Sequence, residues 1–203
     1  MSPQTFIFIG RPGSGKGTQG KLLEQFLREK DPAREIFYLE TGATFREFLK
    51  QPGYTQDLSR AIAAAELTAQ PGFLAIWTWA CIFVEKLTAD EHLIIDGTPR
   101  SYPEAIALDT AMKFYGRKPF VVYLDTSDEC IEGRLLARAK TSCRADDTLE
   151  KIHKRLVWFK RDVFPLVDHY RKHPDCVFLE IKGDQPIEAV HKDIVSHIAV
   201  GTE

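Results

Sequence analysis

Five short apolar runs recur along the chain, separated by longer stretches in which the apolar residues are spaced differently. Each run is rich in Ile, Val, Leu or Phe and lacks the strict alternation of a half-exposed strand. This pattern predicts strands that are buried on both faces of a parallel sheet. The predicted strands are Thr5–Ile9, Ile36–Leu39, His92–Ile95, Phe120–Leu124 and Cys176–Ile181.

In the intervening stretches, apolar residues recur with helical spacing. The predicted helices span about Gly15–Arg28, Thr44–Leu49, Thr55–Leu67, Phe73–Leu87, Tyr102–Tyr115, Asp128–Ala139, Leu149–His173 and Pro186–Ala199. Strands that alternate with helices indicate an α/β fold with a doubly wound, parallel five-stranded sheet. No linker-like or low-complexity stretch interrupts the 203 residues, so we expect residues 1–203 to form a single domain.

Composition narrows the environment and the partners. The formal net charge of −2 argues against a broad binding surface for nucleic acid or membrane. The apolar stretches are too short or too interrupted to span a bilayer. The four cysteines, Cys81, Cys130, Cys143 and Cys176, lack CxxC spacing. We therefore interpret them as reduced thiols of a cytoplasmic protein and expect no zinc site.

The segment Gly10–Gln19 carries the strongest chemical signal, and it joins the first predicted strand to the first predicted helix. Its glycines let backbone amides surround an anion, and the helix N-terminus adds partial positive charge. Lys16 would then reach the outer phosphates of a nucleotide. In the common phosphate-loop pattern a Ser or Thr follows the lysine as a magnesium ligand, whereas here Gly17 follows it and the hydroxyl comes at Thr18. We therefore expect magnesium to be held mainly by phosphate oxygens and water.

Two further motifs follow the second and third predicted strands. Asp96 stands at the end of the third strand, where its carboxylate could orient the waters around magnesium, and Arg100 could hold a second phosphate. After the second strand come Thr41, Gly42 and Arg46, with Arg46 one turn into the following helix. Two groups of phosphate-binding residues suggest two phosphorylated substrates.

Arginines also flank a polar interruption of the helical pattern at residues 139–147. Arg134 and Arg138 lie four positions apart, on one face of the preceding predicted helix. Arg144 lies in the interruption itself, and Arg155 lies on the following helix. These residues could form an ordinary solvated face. We favour an anion clamp on a mobile lid, because guanidinium groups bind phosphate through paired hydrogen bonds.

In their order along the chain, these motifs resemble the adenylate kinase family of nucleoside monophosphate kinases, from Thr5 to about Ala199. Gly10–Gln19 resembles that family's nucleotide loop, which also has glycine after the lysine. Thr41, Gly42 and Arg46 match its TGxxxR segment, and Asp96–Arg100 matches its DGFPR segment with Thr98 in place of the aromatic residue.

The arginines resemble those around the family's lid, and the interval from Arg138 to Arg144 is that of the short-lid form without a zinc-binding insert. The resemblance implies a P-loop NTPase fold, a helical monophosphate-binding insert at about residues 41–68 and a short lid at about residues 139–147. It also implies reversible phosphoryl transfer from Mg-ATP to a nucleoside monophosphate by a monomer, without a nucleic-acid or membrane partner.

The resemblance assigns residues to the two substrates and to catalysis. The implied ATP-binding residues are Gly13, Ser14, Gly15, Lys16, Gly17, Thr18, Arg134, Arg138 and Gln185. The implied monophosphate-binding residues are Thr41, Gly42, Arg46, Leu67, Thr68, Gly97, Arg100, Glu104, Arg144 and Arg155. The implied catalytic residues are Lys16, Arg100, Arg138, Arg144 and Arg155, and Asp96 would hold Mg²⁺ through water.

The base of the acceptor is uncertain at Glu104, because adenylate kinases typically have glutamine there. A glutamine amide can donate to adenine's ring nitrogen, whereas an ionised glutamate only accepts and suits the two donors of guanine better. Thr41 and Gly42 resemble the adenylate form. We therefore expect AMP as the acceptor, with GMP or relaxed specificity as the alternative. Glu104 could instead point to solvent while a backbone group reads the base.

A different class of function is a catalytically silent regulatory module that only binds nucleotides. Lys16, Asp96 and the family-type arginines argue against such a module, because a pure binder does not need all of them around the phosphates.

Overall fold

A computed structural model describes residues 2–66, 72–141 and 149–200 of the chain. The strands are Thr5–Gly10 (β1), Ile36–Glu40 (β2), His92–Asp96 (β3), Phe120–Asp125 (β4) and Val177–Lys182 (β5). The helices are Lys16–Lys30 (α1), Thr41–Lys50 (α2), Tyr54–Glu66 (α3), Gly72–Lys86 (α4), Tyr102–Phe114 (α5), Asp128–Thr141 (α6), Leu149–Trp158 (α7), Phe164–Lys172 (α8) and Ile187–Val200 (α9). A π-helical turn, Phe159–Val163, connects α7 to α8.

The five strands form one parallel sheet in the order β2-β3-β1-β4-β5, which confirms the predicted sheet. Residues of β1 are buried along its whole length because it is the central strand and has helices on both sides. The edge strand β5 alternates between exposed and buried residues over much of its length. Asp96 of β3 is paired in register with Phe8 of β1 and Glu40 of β2, so their carboxyl ends meet at one edge of the sheet.

Helices cover both faces of the sheet and create two cores. Ile7 and Ile9 of β1 point to one face, where they pack in a cluster that includes residues of α4, α5 and α8. Phe6 and Phe8 point to the other face and pack with residues of α1 and α9. Because successive side chains of a strand point to opposite faces, the continuous apolar run of β1 supplies both cores.

The segment predicted as a single helix, Leu149–His173, is interrupted by the π turn, and that detail of the prediction is wrong. Pro165 lies at the start of α8 and lacks the N–H that a continuous α-helix would need. The wider turn also changes the buried face. Ile152 and Leu156 pack in a cluster with residues of α6, whereas Phe159 and the residues after it pack against the sheet.

The helix after β2 begins earlier than predicted, at Thr41 rather than Thr44. Consequently the predicted monophosphate motif forms the first turns of α2 instead of a loop before it. None of the helices in the described ranges is long and apolar enough to cross a membrane.

Candidate active site

A cleft of about 880 Å³ opens at the carboxyl ends of the strands. It brings together residues from the phosphate loop, the start of α2, the end of β3, α6, α7 and the turn after β5. The sequence-predicted residues that line it are Gly13, Ser14, Gly15, Lys16, Gly17, Thr18, Gly42, Arg46, Asp96, Gly97, Arg100, Arg134, Arg155 and Gln185.

The phosphate loop curls around the side chain of Lys16. The Lys16 ammonium group donates hydrogen bonds to the backbone oxygens of Gly10, at 2.7 Å, and Arg11, at 2.9 Å. Gly13 and Gly15 have φ angles of 87° and 99°, a region that side chains disfavour. The glycines therefore allow a tight turn, and this turn directs Lys16 and the N-terminus of α1 toward the cleft.

Asp96 lies directly against the loop. A Cβ atom on Gly17 would be 3.3 Å from Oδ2 of Asp96, so a larger residue after Lys16 would press on this carboxylate. Burial raises the pKa of Asp96, and the nearby Lys16 charge opposes that shift. Among the described residues, two carboxylates line the cleft, those of Asp96 and Glu40, and Glu40 forms an ion pair with Arg46. Asp96 next to the hydroxyl-bearing Thr18 and the phosphate loop fits a Mg²⁺ ion that keeps phosphate oxygens and water as most of its ligands.

Tyr38 of β2 is a site residue that sequence reasoning missed. Its hydroxyl hydrogen-bonds to Asp96, and its ring lines the cleft. It also packs so closely on Gly20 of α1 that no Cβ atom would fit there. The available signal was a tyrosine one residue before the carboxyl end of a predicted parallel strand, on the same sheet edge as Asp96.

Arg46 and Arg100 converge over Gly42, as the sequence predicted for a phosphate site. A Cβ atom on Gly42 would be 3.3 Å from Nη1 of Arg46 and 3.5 Å from Nη2 of Arg100. Burial lowers the pKa of Arg100. The negative charges of Glu104 and Asp96 raise this pKa, and the positive charges of Arg46 and Arg155 lower it. Because like charges repel, such a cluster is stabilised when an anion such as phosphate binds between its members.

Gly97 and Thr41 hold this cluster in place. The Thr41 hydroxyl donates to the backbone oxygen of Asp96 at 3.3 Å, and Nε of Arg100 donates to the backbone oxygen of Gly97. Gly97 has a φ of 91°, and a Cβ atom there would be 2.8 Å from the Arg100 guanidinium and 2.9 Å from the Thr41 hydroxyl. Glycine is therefore required at this position.

Glu104 is only 1% exposed, so the alternative in which it points to solvent is wrong. Its Oε1 accepts a hydrogen bond from the Thr98 hydroxyl and its Oε2 accepts one from the backbone N–H of Arg100, both at 2.6 Å. Burial raises the pKa of Glu104, while these hydrogen bonds lower it. The carboxylate thus faces the loop that carries Arg100, and Glu104 is not among the residues that line the cleft.

On the ATP side, Arg134 connects the phosphate loop to the turn after β5. Its guanidinium donates to the backbone oxygens of Ser14, at 3.4 Å, and Gly183, at 2.8 Å. Gln185 in that turn is held by hydrogen bonds to the backbone oxygen of Lys182 and to Asp193. The two predicted ATP-binding residues, Arg134 and Gln185, therefore lie side by side.

Several predicted site residues cannot be placed in the same way. Leu67, Thr68 and Arg144 lie outside the described residues, as does most of the predicted lid at residues 139–147. Arg138 belongs to α6, but its side chain is not among those described. Arg155 lies on α7 and lines the cleft beside the other arginines.

Comparison with known proteins relates this geometry to one family. A family model described as adenylate kinase matches residues 8–175. The chain is 29% identical over 191 residues to a uridylate kinase of Saccharomyces cerevisiae, covering 93% of this chain and 87% of that protein. It is 30% identical over 190 residues to adenylate kinase 1 of a Nostoc species, covering 93% and 95%. It is 33% identical over 171 residues to an adenylate kinase of Porphyromonas gingivalis, covering 82% and 81%.

Proposed function

Since the chain belongs to the adenylate kinase family, whose members are nucleoside monophosphate kinases, we propose that it transfers a phosphoryl group reversibly from Mg-ATP to AMP and forms two ADP. The main support is the presence of two cationic groups in one cleft. Lys16 and the loop amides lie at one end, Arg46 and Arg100 lie at the other, and Asp96 lies between them.

The transfer requires alignment and charge neutralisation rather than covalent chemistry by the protein. Lys16 and the loop amides would hold the donor phosphates, and Arg46 and Arg100 would orient the acceptor phosphate. Arg155, whose charge affects Arg100, would stabilise the charge on the transferring group. Mg²⁺, when bound, neutralises phosphate charge, and Asp96 would orient its water ligands. The acceptor is already an anion, so the reaction needs no general base.

The proposal also assigns roles to residues whose side chains the structure does not describe. Arg138 and Arg144 would surround the transferring group, and Leu67 and Thr68 would contact the acceptor nucleoside. Closure of residues 139–147 and 41–68 over the substrates would exclude water from the phosphates. We propose that the enzyme acts as a cytoplasmic monomer, consistent with cysteines that lack paired spacing.

The surroundings of Glu104 favour AMP over GMP. Both carboxylate oxygens already accept hydrogen bonds, from Thr98 and from the backbone of Arg100. Glu104 is also absent from the residues that line the cleft, so its carboxylate is turned toward the Arg100 loop rather than toward the donors of a guanine base. Broad specificity is the second candidate, because one relative that matches nearly the whole chain is named a uridylate kinase.

The test is to incubate the purified protein with Mg-ATP and, in separate reactions, AMP, GMP, CMP, UMP and dAMP, and to quantify every diphosphate. Diphosphate formation in the reaction with AMP, and in none of the others, would support the proposal. Preference for GMP or a pyrimidine monophosphate would reassign the acceptor. No turnover with any acceptor, in protein that still binds ATP, would favour a silent module. A Lys16→Ala preparation controls for contaminating kinases.

A further inference from the structure

Three side chains that commonly bind metal ions meet where α8 packs beside α5. Asp109 lies on α5, His169 lies on α8, and His173 follows the last residue of α8. Oδ2 of Asp109 is 2.8 Å from Nε2 of His169 and 3.5 Å from Nε2 of His173. None of the three is among the residues that line the active-site cleft.

The geometry of this Asp-His-His cluster is close to that of a zinc site. One potential ligand atom of each residue lies within 4.8 Å of the other two. Zinc bonds of about 2.0–2.2 Å imply separations of roughly 3.3–3.6 Å between the ligand atoms of a tetrahedral site. The distance from Asp109 to His173, 3.5 Å, lies within that range, and the distance from Asp109 to His169, 2.8 Å, is shorter, so small side-chain shifts would bring the ligand atoms to tetrahedral spacing.

The two histidine rings lie next to each other. His169 is in the last turns of α8 and His173 is the residue that caps its end, and their ring centroids are 5.2 Å apart. Both imidazoles can therefore reach a single Zn²⁺. The side chains of Asp109 and His169 are each 15% exposed and that of His173 is 21% exposed. They are thus largely shielded, yet a cleft of about 260 Å³ lined by Asp109 and His173 connects the cluster to solvent.

We propose that Asp109, His169 and His173 bind a divalent transition-metal ion of the Zn²⁺ class, with water as a fourth ligand. Two imidazoles and one carboxylate suit Zn²⁺, Co²⁺ or Ni²⁺, whereas Mg²⁺ prefers oxygen ligands alone. This site is separate from the Mg²⁺ of the nucleotide and does not depend on the proposed phosphoryl transfer. It differs from the sequence-based expectation of no zinc site, which considered only cysteines.

Several charged groups and one thiol lie near the cluster without belonging to it. Asp175, Lys113 and Lys118 line the adjoining cleft, so carboxylates and ammonium groups both face it. The Cys176 thiol donates to the backbone oxygens of Tyr170 and His173. Its sulfur does not lie with the three ligand atoms, so Cys176 is a neighbour of the site.

Bound metal would join α5 to the C-terminal end of α8. Without metal, the His169 imidazole is hydrogen-bonded to the Asp109 carboxylate at 2.8 Å, and His173 lies 3.5 Å from the same oxygen. The same cluster could therefore serve only as a structural contact between the two helices. The two interpretations differ in a measurable way. A metal site binds Zn²⁺ stoichiometrically and raises the melting temperature, because the ion binds the folded state. A structural contact does neither.

The test uses chelator-treated full-length protein without nucleotide, titrated with ZnCl₂ by calorimetry and with CoCl₂ by visible absorption. We expect one site per chain, no competition by MgCl₂, and a rise in melting temperature with Zn²⁺. His169→Gln and His173→Gln should each weaken Zn²⁺ binding at least about tenfold. Loss of a residue that only hydrogen-bonds to a metal ligand already has an effect of that size. Circular dichroism in chelator would establish that each variant is folded.

The matched control is His197→Gln, which changes an exposed histidine on α9 and should leave Zn²⁺ binding unchanged. Two results would overturn the proposal. One is the absence of Zn²⁺ binding by the wild-type protein at the concentrations of the titration. The other is equal binding by the wild-type protein and both cluster variants, which would place the ion at a thiol or another surface group.

Discussion

The Glu104 carboxylate holds the backbone at Arg100, the residue that we propose orients the acceptor phosphate. Its two oxygens accept hydrogen bonds from the Thr98 hydroxyl and the Arg100 backbone N–H. In a Glu104→Gln variant, the amide oxygen can accept from the Arg100 N–H, while the Thr98 hydroxyl must turn to accept from the amide nitrogen. Both bonds then become neutral, and a neutral hydrogen bond contributes about 1 kcal/mol less than one to a charged group, while removing a buried charge offsets part of that cost. We expect a net destabilisation of about 1 kcal/mol in denaturant unfolding.

The same Glu104→Gln variant should keep the wild-type ranking of acceptor nucleotides, with a lower kcat because Arg100 is held less firmly. Thr98→Val is the matched control, because it removes only the hydroxyl and should lower stability without changing the ranking. A Glu104→Gln enzyme that switches its preferred acceptor would show that Glu104 reads the base.

Asp96 links the active site to pH. Burial raises its pKa, with Lys16 opposing the shift, so protonation begins above the usual range of an aspartate. If the ionised carboxylate orients the waters of Mg²⁺, as we propose, kcat/KM for Mg-ATP should fall on the acidic side at a pH above that range. An Asp96→Asn variant should lose most of its activity and also this acidic limb. An unchanged limb in that variant would assign the titration to another group.

The effect of Asp96 on stability has the opposite sign. Its folded pKa is higher than its unfolded pKa, so its contribution is fully present below the unfolded pKa and is lost as pH rises through the folded pKa. In the absence of nucleotide, Asp96→Asn should therefore be more stabilising relative to wild type at about pH 7 than at about pH 4. Unfolding in urea at both pH values measures the difference. Glu104 titrates in both proteins and cancels from the comparison.

At the scale of secondary-structure elements, Arg134 of α6 ties the phosphate loop to the turn after β5 through the backbone oxygens of Ser14 and Gly183. In an Arg134→Ala variant both contacts are lost. Hydrogen bonds from charged groups contribute about 1.5–3 kcal/mol, so we expect KM for ATP to rise about tenfold or more, with little change in KM for AMP. Initial-rate kinetics with each substrate varied would measure this.

The control for Arg134 is Arg171→Ala, which breaks exposed ion pairs on α8 and should leave both KM values unchanged. Equal effects of Arg134→Ala on both substrates would mean that the turn after β5 supports the whole cleft rather than the ATP side.

The elements themselves differed in how well sequence could predict them. All five strands were predicted within about one residue at each end. For β1, β3 and β4 the reason is burial on both faces, which leaves an unbroken apolar run. The π turn at Phe159–Val163 was not predictable from spacing, since it depends on how α7 packs on α6 while α8 packs on the sheet. Pro165 was its one local signal.

The same distinction holds within the candidate site. Motif spacing correctly brought Lys16, Arg46, Asp96 and Arg100 to one cleft, because parallel strands place their carboxyl ends at a common edge. The burial of Glu104 and the hydrogen bond of Tyr38 to Asp96 were missed. Both depend on which backbone or side chain comes near in three dimensions, which periodicity does not encode.

At the scale of the whole molecule, the two cationic ends of one cleft distinguish a kinase from a binding module. A ligand in which two nucleosides are joined by five phosphates would occupy both ends at once. The second contact then becomes intramolecular, which raises affinity without any new type of interaction. We expect such a ligand to raise the melting temperature well above the shift that ATP causes at the same concentration. Arg46→Ala should remove most of the difference while leaving the ATP shift intact. If ATP and the joined ligand stabilise the wild-type protein equally, only the ATP end of the cleft binds nucleotide, and the chain is a nucleotide-binding module.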